Sequence, residues 1–453
     1  MKTIYKHIFL LTALLLCGTV HAQDSGILVL PEDADSTKME KLVEKVKKLT
    51  EKKDTTAKKE KVKSGVNHVP YPIIGIDEDL GFQYGIHYSF FDYGDGSQYP
   101  NYRHAVEVDV SRFTKGQTNA TILYKTDYLI PGIRLNVAAA IKDDPISHFY
   151  GFNGSVNPID KSIDRKDGKA YYDVHRRLIR GALTLQGHIT SNLEWTTGVD
   201  FLSYKYTDVP ERYKYESGFS LYRDLIQNGT ILPEEAGGGN TLEIYAGLAY
   251  DTRNAVSMPT KGMWSEIYFS GAPGFFGHKY ARISAHHRHY IPIISDERLI
   301  LAYHVGFQQK IAGQMPFYIL QNIPTVQMRK SINEGLGGKS TLRIGRVHRL
   351  VGEGYAWANV EARIRVAKFE GLNQSFFIVT NPFFDVGMIT QPYRLGAEKG
   401  SELYKEATRL HPSAGWGFKI VMNRNFISSI ELAHPFNPDD GKWRLYIGSS
   451  FAF

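Results

Sequence analysis

The stretch "NVEARIRV", from Asn359 to Val366, alternates polar and apolar residues without a break. A period of two is the pattern of a β-strand whose two faces meet different surroundings. Asn359, Glu361 and Arg363 share one face, so that face carries charge. A soluble sandwich encloses an apolar face, whereas a water-filled barrel encloses a polar one. The stretch therefore predicts a strand of a β-barrel with a charged lumen.

The same alternation recurs in "RHAVEVDV", from Arg103 to Val110, and continues over most of the chain. The 453 residues include 28 Tyr, 24 Phe and 42 Gly, and the chain is low in continuous apolar sequence after its first residues. A membrane-spanning helix needs roughly 18 continuous apolar residues, which the later sequence does not supply. Aromatic-rich and glycine-rich sequence of this kind is typical of a transmembrane β-barrel.

Counting backward from the C-terminus predicts about sixteen antiparallel strands, the last at 442–453 and the first at 70–77. If the last strand ends in the periplasm, the long connections at 143–169, 208–239, 313–354 and 390–408 lie outside the cell. Short inner turns and long outer loops are the rule for such barrels. The fold class is therefore predicted as all-β, an outer-membrane barrel over residues 67–453.

The N-terminus has the pattern of a secretory signal peptide. Two lysines precede an apolar run from Ile8 to Leu16, and Val20-His21-Ala22 offers a cleavage site, so residues 1–22 are predicted to be removed. Cys17, the one cysteine of the sequence, lies inside this segment. The mature chain is therefore expected to have no disulfide and no cysteine ligand or nucleophile.

Residues 23–66 are polar and are predicted to lie in the periplasm. Thr37 and Glu40 form a capping box, and apolar residues recur at helical spacing, which predicts a short amphipathic helix at 38–53. A lysine-rich linker follows, and residues 36–63 carry eleven lysines against five acidic residues. This linker is either a solvated tether or a contact with a partner, the membrane surface or the barrel mouth. The sequence has no basic stripe interleaved with stacking aromatic residues and is predicted to leave the cytoplasm, so nucleic acid is not an expected partner.

A glycine-rich stretch, "GLGGKSTLRIG" from Gly335 to Gly345, raises the question of nucleotide binding. Gly338, Lys339 and Ser340 match the end of a phosphate-binding loop, but Asn333 stands where the motif needs its first glycine. Such a loop also requires a buried strand before it and a helix after it. Neither is predicted here, so no nucleotide or other cofactor is expected.

Four ordered motifs resemble the BamA/TamA-like outer-membrane family, also called the bacterial surface antigen family, over about residues 70–453. That family carries two glycines and an Arg-Gly-aromatic motif in its sixth outer loop, followed by a strand with Asn-x-Glu-x-Arg. The matching segments here are Gly337-Gly338 with Leu342-Arg343-Ile344-Gly345 and Asn359-x-Glu361-x-Arg363; Asp251-Thr252-Arg253-Asn254 with Pro259-Thr260-Lys261-Gly262; Phe149-Tyr150-Gly151-Phe152-Asn153-Gly154; and Phe383-Phe384-Asp385-Val386-Gly387. One departure is that glycine follows Arg343 one position late.

The resemblance implies that this loop folds back into the barrel and that Arg343 meets acidic residues of the inner wall, here Glu361 and Asp385. An enclosed guanidinium requires carboxylate partners, because a buried unpaired charge is costly. Gly337, Gly338 and Gly345 would let the loop turn and approach the wall. We call this predicted arrangement the loop latch.

The resemblance gives two further sets of candidate residues. Asp251, Arg253, Pro259 and Gly262 would form a strand-and-turn motif. The chain ends in "WRLYIGSSFAF", and the terminal aromatic strand serves the family as an insertion signal. Its members here are Tyr446, Phe451 and Phe453.

The function implied by the resemblance is assistance in assembling, inserting or translocating outer-membrane proteins in a Gram-negative bacterium. The sequence leaves open a passive or gated pore for small solutes, and a membrane-anchored scaffold or surface antigen. Expected partners are outer-membrane lipid and lipopolysaccharide, and periplasmic or outer-membrane assembly proteins. Members that insert other proteins carry periplasmic POTRA domains, for which residues 23–66 are too few. No nucleophile or acid–base pair can be named, so no enzyme is expected. His287 and His289 share a strand face without an evident third metal ligand, so no metal is expected either.

Overall fold

The computed structural model describes residues 64–77, 80–97, 102–160, 162–163, 170–213, 219–256, 258–294, 297–324, 335–345, 347–371, 374–422, 426–448 and 451–453. The predicted signal peptide and periplasmic helix lie outside these residues. Among the described residues, no helix combines the length and the apolar character needed to cross a bilayer.

Sixteen antiparallel strands form one sheet in which the spatial order equals the chain order. They are β1 Val66–Asp77, β2 Gly81–Asp92, β3 His104–Phe113, β4 Thr118–Ile130, β5 Ile133–His148, β6 Asp173–His188, β7 Leu193–Thr207, β8 Gly238–Asp251, β9 Gly262–Pro273, β10 Lys279–Pro292, β11 Leu299–Gly313, β12 Gly354–Gly371, β13 Gln374–Gln391, β14 His411–Met422, β15 Phe426–Pro435 and β16 Arg444–Gly448. This confirms the predicted all-β architecture and the even strand number. The barrel is nearly closed, since Cα atoms of β1 and β16 approach within 8 Å.

The two faces of the strands differ as the alternation predicted. On β12, Asn359, Glu361 and Arg363 are buried toward the lumen, whereas Val360 between them is 41% exposed on the outer surface. Ion pairs also cross the lumenal face elsewhere, as between Arg180 of β6 and Asp200 of β7 at 2.7 Å. The wall therefore presents apolar side chains outward and paired charges inward, as a membrane barrel requires.

The connections divide by length between the two ends of the barrel. Four long loops, 149–172, 208–237, 314–353 and 392–410, lie at one end, which we call the long-loop end; the turns at the other, short-turn end span at most eleven residues. The long loops contain the short helices α1 Leu221–Gln227 and α2 Glu402–Ala407, and 3-10 turns lie at Gly154–Val156, Glu211–Tyr213, Phe317–Ile319 and Pro438–Asp440. Buried aromatic side chains from these loops and the strand ends form one cluster, the loop cap, which includes Tyr150, Phe152, Tyr206, Tyr222, Phe317 and Tyr393.

The last strand is shorter than predicted. It ends at Gly448, and residues 451–453 are not in a strand, so the prediction of a strand to 453 is wrong there. Phe451 and Phe453 turn into the lumen, where their rings lie 4.1 and 5.1 Å from the guanidinium carbon of Arg363. A cation over an aromatic face is attractive, and this contact accounts for the departure from the wall.

Candidate functional site

Residues 335–345 of the long loop between β11 and β12 enter the lumen and place Arg343 against the wall. The side chain of Arg343 has no exposed surface. Its Nε and Nη2 donate to the two carboxylate oxygens of Asp385, each at 2.8 Å, and its backbone N–H donates to the same group at 3.1 Å. Its Nη1 donates to Glu361 at 2.8 Å. The structure thus brings together the three charged residues that the resemblance had singled out.

A third carboxylate, Glu431 of β15, completes the site and was not predicted. Nη1 of Arg343 donates to it at 3.3 Å, and Lys419 of β14 is its second cation. Arg363 donates to Glu361 at 3.0 Å. The ion pairs of this buried cluster therefore join three cations, Arg343, Arg363 and Lys419, to three carboxylates. Removal of a single member leaves an uncompensated charge, which is the costly case for a buried ion pair.

Glycines allow the loop to take this path. Gly337, Gly338 and Gly345 have φ angles of 138°, 78° and 141°, a region that other residues rarely adopt. A Cβ atom on Gly345 would also lie 2.7 Å from the carbonyl oxygen of Asp440. Thr341 closes the turn, because its hydroxyl accepts from the N–H of Gly337 at 3.1 Å. The glycines predicted in the latch are thus required by the backbone.

The motif around Asp385 on β13 shapes the wall that receives the loop. The ring of Phe383 lies under the guanidinium of Arg343, with 3.4 Å between its centroid and Cζ. A Cβ atom on Gly387 would lie 2.9 Å from Leu342 and 3.1 Å from Cβ of Trp357. Phe383 therefore stacks against the guanidinium of Arg343, and the lack of a side chain at Gly387 leaves room for Leu342 and Trp357. These two contacts lie on either side of Asp385 and explain the spacing of the motif.

The loop also contacts the last strand, which sequence reasoning missed. The hydroxyl of Tyr446 on β16 donates to the carbonyl of Gly345 at 2.7 Å and accepts from its N–H at 3.0 Å. Lys339 donates to Ser429 of β15, which pairs with Gly448 at the end of β16. Tyr446, which had been assigned only to the terminal signal, thus joins the loop to β16.

The predicted turn motif lies between β8 and β9 at the short-turn end. Arg253 forms a bidentate pair with Asp251, at 2.9 and 2.6 Å. Two guanidinium groups contact the Trp264 ring, with Cζ of Arg253 and of Arg288 at 4.3 and 4.2 Å from its centroid. Gly262 is required, because a Cβ atom there would lie 2.2 Å from the carbonyl oxygen of Thr252. Pro259 is buried in the same turn.

This turn reaches across the barrel. Met258 is 6% exposed and packs in an apolar cluster with Phe451 and with Phe377, Val379, Val421 and Ile427 of strands β13 to β15. Those strands are not neighbours of β8 or β9 in the sheet. The turn and the end of the chain therefore meet inside the short-turn end of the lumen.

The motif from Phe149 to Gly154 joins two loops of the loop cap. The side-chain amide of Asn153 donates to the carbonyl of Tyr393 at 2.8 Å and accepts from its N–H at 2.7 Å. Arg394 donates to Glu235 of another loop at 2.8 Å. Three of the long loops are therefore tied to one another above the lumen.

His348 connects the same region to the barrel wall. Its Nδ1 lies 3.1 Å from the carbonyl of His148, and its Nε2 lies 3.2 Å from Nη1 of Arg176. Nδ1 is the donor and Nε2 the acceptor, because the carbonyl can only accept and the guanidinium can only donate. Burial, together with the charge of Arg176, holds the pKa of His348 well below its usual range. The ring is therefore neutral at physiological pH.

His287 and His289 lie on the outer face of β10, where both contact the hydroxyl of Tyr303 at 3.4 and 3.2 Å. In the part of the chain that the structure describes, no three His, Cys, Asp or Glu side chains are grouped to hold a metal ion.

Comparisons with known proteins agree with this architecture. A family model for the Omp85 superfamily domain matches residues 104–453. Among solved structures, BamA from Haemophilus ducreyi lacking POTRA domains 1–3 is similar, with 15% identity and a TM-score of 0.55 over 86% of this chain and 70% of that one. CdiB from Escherichia coli is similar with 11% identity and a TM-score of 0.54, over 84% of this chain and 61% of that one. No curated protein gives a significant match.

Proposed function

The chain belongs to the Omp85 superfamily, and from that membership we propose that it assists the insertion or translocation of other outer-membrane polypeptides. Barrels of this superfamily lie in the outer membrane, where the apolar outer face of the wall would contact lipid and lipopolysaccharide. In this proposal the signal peptide, residues 1–22, is removed. Residues 23–66 stay in the periplasm, where the helix predicted at 38–53 offers a contact for assembly proteins.

The observation that carries the proposal is the set of strands that the loop latch joins. Arg343 bonds to β12, β13 and β15 through Glu361, Asp385 and Glu431. Gly345, two residues further on, bonds to Tyr446 of β16. The latch therefore holds the last strand in place beside the seam between β1 and β16. Release of the latch would free β16 to move, so the loop is suited to control opening of the wall toward a polypeptide.

A gated pore for small solutes is the second candidate, and the charged lumen favours it. Besides the Arg343 cluster, Arg282 pairs with Glu243 at 2.7 Å and Arg288 pairs with Glu266 at 3.0 Å, all facing inward. A lumen lined by charged groups suits water and ions. The loop cap and the latch loop would then act as its gates.

The proposal is tested in cells in which the gene is deleted and supplied again as wild type or as Arg343→Ala. The measurement is the abundance of folded outer-membrane barrels, read as heat-modifiable bands from isolated outer membranes. We expect deletion to lower this abundance and Arg343→Ala to restore it only in part. Arg134→Ala is the matched control, because Arg134 is 36% exposed and pairs with an exposed Asp127.

Unchanged abundance of every barrel after deletion would reject the assembly role. The purified barrel in a planar bilayer then separates the alternatives. Steady conductance in the wild type supports the pore, whereas a closed wild type that opens in Arg343→Ala supports a latched lumen without continuous transport.

A further inference from the structure

Strand β1 has an unusual free edge. It pairs only with β2 among the described strands, so its second edge faces β16. The segment "HVPYPIIG", from His68 to Gly75, places Pro70 and Pro72 two residues apart in this strand. Proline has no backbone N–H, and within sheets it is confined to edges, strand starts and bulges. The direction in which these two residues point therefore decides what the edge can bind.

Hydrogen bonds at both ends of β2 fix that direction. The backbone carbonyl of Asp92 accepts from the N–H of Arg103 at 2.8 Å, and the backbone carbonyl of Phe82 accepts from the N–H of Thr114 at 2.9 Å. The backbone polar groups of both residues therefore point toward β3. The residues opposite them on β1 are Val66 and Ile76. In an antiparallel pair, such positions are the ones not bonded to the partner strand.

The register between β1 and β2 is unbroken from Val66 to Asp77. Backbone direction alternates along a strand, so every even-numbered residue of β1 points to the free edge. A second observation agrees, since Tyr93 donates to the odd-numbered Gly65 at 2.9 Å. Pro70 and Pro72 are even-numbered, and their missing N–H groups are therefore missing from the edge that faces β16.

We propose that Pro70 and Pro72 keep this edge unpaired in the middle of β1 and so prevent a continuous ladder between β1 and β16. The inference deepens the proposed function, on which its biological meaning rests, by naming the residues that keep the seam open. It also defines which part of the edge a strand of another polypeptide can bind.

The bonding pattern gives the reason. A bonded residue in an antiparallel pair donates one bond and accepts one, and proline can only accept. The facing strand then keeps an unsatisfied carbonyl opposite each proline, and no water replaces the bond inside a membrane. The two prolines occupy the middle of a strand of twelve residues. A facing strand can pair fully only near Val66 and His68, or near Ile74 and Ile76.

Strand β16, on the other side of the seam, is short and forms no ladder with β1 in the described residues, as the blocked edge of β1 implies. Cα atoms of β1 and β16 lie within 8 Å of each other, yet no ladder joins the two strands in the described part of the chain. β16 itself has only five residues. Beyond it, a main-chain oxygen of Phe453 accepts from Nη2 of Arg363 inside the lumen at 2.8 Å. In the described residues the end of the chain, 451–453, is thus bound by lumenal side chains.

Replacement of both prolines by valine tests the inference in the refolded barrel. Pro70→Val/Pro72→Val restores both donors while keeping apolar side chains. Hydrogen–deuterium exchange of the amides of β1 and β16 is measured in detergent. We expect exchange in both strands to slow at least about tenfold in the double variant, as a ladder replaces an open edge. The single variants should slow it less.

A variant with changed side chains and unchanged donors, Val66→Ile/Ile74→Val, is the control and should exchange like the wild type. The inference would be overturned if the amides of β1 and β16 exchanged at the same rates in the double variant as in the wild type. If the double variant does not refold, the single variants provide the same comparison. This readout needs no client protein, so it stands apart from the test of the assembly role.

Discussion

Arg343→Ala should destabilise the barrel more than any exposed substitution, and the structure gives the scale. The change removes four side-chain bonds to three buried carboxylates. Glu361 and Glu431 keep Arg363 and Lys419 as cations. Asp385 keeps no cation among its bonds in the described residues. Asp385 therefore becomes a buried carboxylate without a bonded cation, and breaking a buried pair in this way costs about 3–5 kcal/mol.

Heating on semi-native gels measures the effect, because the folded barrel migrates faster than the unfolded chain. For a chain of this length a loss of 3–5 kcal/mol corresponds to roughly 3–6 °C in the conversion temperature. Asp385→Ala and Glu361→Ala should also lower it. Arg343→Lys keeps the charge but loses the bidentate geometry, so it should fall between Ala and wild type.

The double variant Arg343→Ala/Asp385→Ala distinguishes loss of the Arg343–Asp385 ion pair from a general loss of packing. Residues that share one interaction are non-additive, so the double variant should be little worse than Arg343→Ala alone. If the folded band of Arg343→Ala converted to the unfolded band at the same temperature as the wild type, that result would refute the argument. So would an additive double variant, since it would place Arg343 and Asp385 in separate interactions.

Two further predictions concern the two ends of the barrel. Met258→Ala should lower stability by about 2–5 kcal/mol, because it opens a cavity in the apolar cluster at the short-turn end, whereas Met258→Leu should cost less than about 1.5 kcal/mol; equal conversion temperatures for Met258→Ala and wild type would contradict this. His348 keeps a low pKa when folded, and the unfolded chain takes up this proton below about pH 6.5, so stability is lost as pH falls. The loss of stability from pH 6.5 to 5 is about 2 kcal/mol at most. His348→Gln does not titrate, so its conversion temperature should fall less than that of the wild type over this interval. An equal fall in both proteins would show that the ring is protonated in the folded barrel.

The strand pattern was predictable because it depends on neighbours in sequence. Alternation in "NVEARIRV" assigned Asn359, Glu361 and Arg363 to the lumen, and the wall of the barrel follows the same rule. Glu431 carried a usable signal, since it is a charged residue between Ile430 and Leu432 on a strand. The alternation predicts that Glu431 faces the lumen. It does not predict Arg343 as the partner, because it does not indicate which loop enters the lumen.

The end of the chain shows a second limit. Phe451 and Phe453 continue the alternating pattern, and the pattern alone places them on the wall. In the structure the rings contact Arg363, and Phe451 also lies 4.8 Å from Lys419. The attraction of two lumenal cations depends on strands far away in sequence. Tertiary contacts therefore override a local pattern at the point where the wall ends.

The order of the strands has a consequence for how the chain folds. Every ladder among the described strands joins neighbours in sequence, so each hairpin can form without a distant segment. Contacts of this kind close the shortest chain loops. Arg343 is different, because its bond to Glu431 spans 88 residues. Its carboxylates come from β12, β13 and β15, all synthesised after the loop itself. Arg343 can therefore form these bonds only after strands β12 to β15 have formed, so the latch closes late in folding.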